Sequence, residues 1–127
     1  MSNRAVISSP DAPEALGPYS QGIKIGNTVW LSGQVPLVPG TMELVNGDIS
    51  AQATQVFENL SAVAAAAGCT LDNAVKINIS LTDMSDFAAV NEVMSRFLQE
   101  PYPARACVQV AALPKGAAIE IEAILAS

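Results

Sequence analysis

Seven residues do most to limit what this chain can fold into. From Val75 to Leu81, apolar Val75, Ile77, Ile79 and Leu81 alternate strictly with Lys76, Asn78 and Ser80. That is the period of a β-strand with one buried face. On either side the apolar period changes to three and four. Over Ser50–Ala67 it runs through Ala53, Val56, Phe57, Leu60, Val63, Ala64 and Ala67, and over Ser85–Leu98 through Phe87, Val90, Met94, Phe97 and Leu98. Two striped helices thus flank a strand that needs cover on one side only. Asp48 or Ser50 is placed to cap the first helix, and Gly68 stands where a left-handed C-terminal cap belongs.

Strand patterns also occur at Arg4–Ile7, Gln21–Ile25, Thr28–Gln34, Ala104–Val110 and Ala118–Leu125. Gly26-Asn27 joins the second and third as a two-residue hairpin turn. Asp11–Gly17 is a proline-containing connection, and Pro36–Gly40 with Asn46-Gly47 makes a long loop. The order is three strands, helix, strand, helix, two strands. It predicts an α+β domain with a mixed sheet and both helices on one face, and 127 residues suit a single domain over 1–127. The last two strands, linked by Leu113-Pro-Lys-Gly116, are expected to be neighbours.

The chemistry is bounded by absence. The chain has no histidine, and so lacks the commonest general base and the middle member of Ser/Cys–His systems. Cys69 and Cys107 are too few for a four-cysteine metal site. Six basic against twelve acidic residues give a net charge of −6 and a pI near 4.3. No stripe of lysines and arginines is available to neutralise phosphates, which argues against a nucleic-acid partner. No run approaches the ~18 apolar residues that span a bilayer, and Met1–Arg4 carries no apolar core of a signal peptide. Two cysteines without a leader read as reduced thiols. The expectation is a soluble cytoplasmic protein with no membrane partner. Half of the residues are hydrophobic and mean hydropathy is +0.34, an excess for so small a domain that favours self-association, the alternative being that 21 alanines raise the apolar count without making patches.

Within these bounds a few residues stand out. Arg105 lies in an apolar strand, where a guanidinium needs an anionic partner. The partner is either a structural Asp or Glu or a bound carboxylate, which the planar fork suits. Glu120 and Glu122 share one face of the last strand, as solvated carboxylates or with one of them positioning water. Cys107 shares the face of Arg105 but has no histidine to activate it, and reads as a small buried side chain. Tyr19 either packs on the core or covers a ligand. Gly33, in Ser32-Gly33-Gln34, lets a backbone N–H approach a ligand closely. Asn91 borders the apolar stripe of the second helix, as a cap, a core hydrogen bond or a contact to a partner.

The motifs Gly17-Pro-Tyr-Ser-Gln-Gly22, Ser32-Gly33-Gln34, Phe87-Ala-Ala-Val-Asn91, Pro103-Ala-Arg-Ala-Cys-Val108, Leu113-Pro-Lys-Gly116 and Ile119-Glu-Ile-Glu-Ala123 resemble the Rid (YjgF) family, and within it the RidA branch of enamine/imine deaminases. The similarity runs from about Ser9 to Leu125. Its most specific part is the Arg-x-Cys strand followed, thirteen residues after the cysteine, by Glu-x-Glu.

The resemblance implies a chorismate-mutase-like fold assembled as a homotrimer with clefts between subunits. It implies hydrolysis of 2-aminoacrylate-type enamines and imines, released by PLP-dependent Ser/Thr dehydratases, to 2-keto acids and ammonia, with no cofactor and no metal. Arg105 then matches the arginine that holds the substrate carboxylate, and Glu120 the acid that positions water. Tyr19, Ser32, Asn91 and Cys107 match residues lining the cleft. Some members keep the fold without the activity, so a non-catalytic trimer that binds small carboxylates is the alternative. Two stretches depart from the family pattern: Gln99–Pro103 is shorter than usual and Pro39–Asn46 slightly longer. If they border the cleft they alter substrate range.

Overall fold

The alternating run becomes the strand that organises the sheet. In a computed structural model, which describes residues 3–127, the strands are β1 (Ala5–Ile7), β2 (Gly22–Ile25), β3 (Thr28–Gln34), β4 (Ala74–Leu81), β5 (Ala104–Gln109) and β6 (Ile119–Ala126). The helices are α1 (Ile49–Ala66) and α2 (Phe87–Phe97). Met1 and Ser2, on which the leaderless reading partly rests, lie outside the described residues. The six strands form one mixed sheet in the order β1-β2-β3-β6-β4-β5. Only β4 and β5 run parallel, joined by the α2 crossover that a parallel pair requires.

Both helices cover the same face, α1 against β3 and β6 and α2 against α1. The Phe57 and Phe97 rings stack between the helices with centroids 5.2 Å apart. Ile77, Ile79, Leu81, Ile119, Ile121 and Leu125 are fully buried beneath them. The Asp48 side chain, one of the two cap candidates, accepts the Ala51 N–H. Gly68 follows α1 with φ 78°, and Gly26 makes the β2–β3 turn with φ 56°; both values favour a residue without Cβ. No helix among the described residues is long and apolar enough to cross a membrane.

Two expectations are corrected. Val75 is not on the buried face. A register shift between Ala74 and Lys76 puts Ala74 against the core and leaves Val75 49% exposed, because a bulge inserts one residue without a ladder partner. Nor are the last two strands neighbours: β4 lies between β6 and β5 and pairs with both. Leu113–Gly116 is therefore no hairpin turn but part of a longer link over β4, with a short 3-10 turn at Pro114–Gly116. Strand β5 becomes the sheet edge, with nearly all its residues exposed.

Candidate active site

The register of the sheet assigns each candidate residue to a face. Arg105 pairs with Ile77 and Cys107 with Ile79 across the parallel ladder. Ile77 and Ile79 point at the helices, so Arg105 and Cys107 do too. Glu120 pairs with Ser80 and Glu122 with Asn78, on the face without helices. Arg105 and Glu120 of one chain therefore lie on opposite sides of the sheet. They do not face one pocket within a single chain, because the intervening strand β4 and the alternation of side chains separate them.

Near Arg105 the local structure is helix against edge strand. Phe87 and Asn91, four residues apart on α2, occupy one helical face and meet the arginine together. Arg105 Nη1 donates to Asn91 Oδ1 at 2.5 Å, and Cζ lies 5.0 Å from the centroid of the Phe87 ring. Among the described residues no carboxylate pairs with Arg105. Its side chain is exposed rather than embedded in the core, since β5 is an edge and not an inner strand. Asn91 thus hydrogen-bonds the guanidinium and is neither a cap nor a core amide.

Beside these groups is a cleft of about 440 Å³ lined by Asn91, Met94, Leu98, Tyr102, Pro103 and Arg105. Tyr102 and Pro103 belong to the Gln99–Pro103 connection, which borders this pocket of the single chain. Burial pushes the half-buried Cys107 thiol above its usual range, with the Arg105 charge pulling the other way. A thiol so shifted is protonated at neutral pH and is a poor nucleophile.

Ser32, Gly33 and Glu120 gather elsewhere. Between Leu31, opposite Ala123, and Gln34, opposite Ile121, two residues of β3 face one of β6. Ser32 and Gly33 occupy this bulge. The Ser32 hydroxyl donates to the Ser20 carbonyl, and the Ser32 N–H donates to the Gln21 carbonyl at 2.9 Å. This ties the bulge to the loop bearing Tyr19, whose ring is 55% exposed. Gly33 abuts Glu120: a Cβ at Gly33 would sit 2.9 Å from both Cδ and Oε1 of the glutamate. Burial, and then the neighbouring Glu122 charge, raise the Glu120 carboxyl above the ordinary range for a glutamate. Asn78 Nδ2 donates to Glu122 Oε1 at 3.1 Å, so the two carboxylates have different partners.

Sequence reasoning missed Phe87 as more than a core residue, although its i,i+4 spacing from Asn91 was visible. It also missed the cleft walls at Met94, Leu98, Tyr102 and Pro103, which come together only through the crossover.

The fold and these two clusters define an α+β protein with a guanidinium seat on one face of its sheet and a carboxylate seat on the other. The chain belongs to the endoribonuclease L-PSP family, the Rid (YjgF) family, whose model matches residues 9–127. It is 48% identical to the 2-iminobutanoate/2-iminopropanoate deaminase of Dermatophagoides farinae, covering 98% of each chain. It superposes on the crystal structure of RidA from the Antarctic bacterium Psychrobacter sp. PAMC 21119 with a TM-score of 0.93 and 58% identity, over 97% of this chain and 99% of that one. E. coli TdcF, crystallised with bound serine, gives a TM-score of 0.91 at 41% identity, over 97% and 98% of the two chains.

Proposed function

We propose that this chain hydrolyses 2-imino acids, and the 2-aminoacrylate-type enamines that tautomerise to them, to 2-keto acids and ammonia. The supplier is a PLP-dependent Ser/Thr dehydratase. Arg105 holds the carboxylate through its fork, and Glu120 positions a water molecule and takes up its proton. Water adds to the C=N carbon to give a carbinolamine; the C–N bond then breaks, the nitrogen leaves as ammonia and the oxygen remains as the keto group. The imine carbon is already electrophilic, so orientation of the two reactants and one proton acceptor suffice. Burial holds the Glu120 carboxyl above its ordinary range, which makes its carboxylate a better acceptor of the water's proton. Relatives named 2-iminobutanoate/2-iminopropanoate deaminase at 45–48% identity support the reaction, and the serine bound in TdcF supports a site for a small amino-acid carboxylate.

The observation that carries the proposal is the separation of the two seats. Arg105, Asn91 and Cys107 on the helix side and Gly33 and Glu120 on the bare side do not meet within one chain. They form one site when β5 of one subunit meets the bare face of the next, in a homotrimer with its sites at the seams. That face exposes Val6, Trp30 and Val108 at 50–70% of their surface, and the β5 edge offers unpaired backbone groups; both favour contact with further copies.

The test couples a threonine dehydratase to keto-acid formation while a scavenger competes for the imine. Faster keto-acid release on adding the protein, abolished by Arg105→Ala, is the expected result. An unchanged rate rejects deamination. Carboxylate binding that depends on Arg105, without turnover and with Glu120→Ala harmless, establishes the non-catalytic binding protein instead.

A further inference from the structure

We propose that Phe87 is a positioning residue for the carboxylate clamp. With Asn91 it forms a two-sided seat that holds the Arg105 guanidinium in its binding orientation before substrate arrives. The inference rests on the deaminase reading for its substrate, but its structural part stands independently.

The geometry begins with the helix. Phe87 is the first residue of α2 and Asn91 follows one turn later, so both project toward β5. Asn91 accepts from Nη1 and fixes one edge of the guanidinium. The Phe87 ring, 5.0 Å from Cζ, fixes the plane through the attraction of a cation for an aromatic face. The Nε and Nη2 edge is left to a ligand carboxylate, which such a fork binds with two parallel hydrogen bonds. Arg105 needs this support because it stands on an exposed edge strand, where a long side chain otherwise samples several rotamers and loses that freedom on binding. The ring is itself held, since Phe87 packs half-buried against the core.

An arginine fixed in this way spends less ordering entropy on each carboxylate it binds. Phe87 therefore acts on binding and not on the hydrolytic step, which separates it from Glu120. Removing the ring face raises KM and leaves kcat near its original value.

Phe87→Leu retains an apolar side chain without a π face, and Phe87→Tyr restores the face. Both are measured in the full-length chain. For Phe87→Leu, KM for the coupled imine substrate and Kd for 2-oxobutanoate, used as the carboxylate probe in calorimetry, each rise about fivefold. Phe87→Tyr stays within twofold of the parent in both. A second readout needs no activity: ¹⁵N NMR of the Arg105 side chain detects rotation about Cζ–Nε, which quickens in Phe87→Leu and not in Phe87→Tyr. If Phe87→Leu does not fold, Phe87→Met serves in the same comparison.

Unchanged guanidinium rotation in the folded leucine or methionine variant overturns the proposal. So does a loss confined to kcat, or a tyrosine variant as impaired as leucine. A parent protein without turnover rejects the deaminase reading, and the NMR comparison then decides the seat alone.

Discussion

A single added methyl group tests how finely Glu120 is placed. Gly33 is not among the glycines with positive φ, so Gly33→Ala introduces no backbone strain there. The new Cβ, however, would lie 2.9 Å from both Glu120 Cδ and Oε1, against at least 3.4 Å for ordinary contact. The carboxyl is the free end of a flexible side chain and yields, moving about 0.5 Å. Misplacing a reacting group by about 1 Å costs on the order of 100-fold in rate, so this smaller shift lowers kcat about tenfold. Stability changes by less than ~1 kcal/mol, because the alanine adopts the same backbone conformation and narrows the unfolded ensemble. The assay is steady-state deamination in the dehydratase-coupled system, paired with urea melts and repeated in a Glu120→Ala background. With the glutamate side chain cut back the obstruction disappears, and Gly33→Ala has no further effect. The reasoning is refuted if kcat of the single variant is unchanged. It is equally refuted if Gly33→Ala costs the same in both backgrounds, which would locate its effect on the ligand and not on Glu120.

Other predictions address different links in the argument. Glu120 acts in its ionised form, so activity falls as pH drops through its raised pKa; removing the neighbouring charge with Glu122→Gln moves this acid limb of the kcat profile to lower pH, and an unmoved limb refutes the coupling. Asn59 is 1% exposed and donates to the Val35 and Leu37 carbonyls, holding the chain just beyond the Ser32-Gly33 bulge; Asn59→Ala costs about 1–3 kcal/mol in urea unfolding by leaving buried polar groups without partners. Leu60 is fully buried at the helix–sheet boundary, and Leu60→Ala lowers stability by about 2–5 kcal/mol in the same experiment. Light scattering gives about three times 13.1 kDa; a monomer at micromolar concentration removes the seam that brings the two seats together.

The sequence by itself determined the elements. Strict alternation at residues 77–81, stripes at three and four through Val56–Val63 and Val90–Phe97, and turn residues at Gly26 and Gly68 are local patterns, and chain stereochemistry reads them without knowledge of distant contacts. The key residue types were legible for a similar reason, since a lone arginine between alanines or a Glu-x-Glu pair shows in one dimension. Tertiary structure alone decided adjacency. Strand order is a choice among packings of the same elements, and here the α2 crossover laid β5 on the far side of β4. That turned Arg105 from a buried cation into an exposed edge residue beside Phe87 and parted it from Glu120 by the thickness of the sheet, while a register shift in the β4–β6 ladder displaced Val75 from the core. Only the bulge at Ser32-Gly33 brought a glycine against the glutamate, because ladder register is set by long-range pairing that no local pattern encodes.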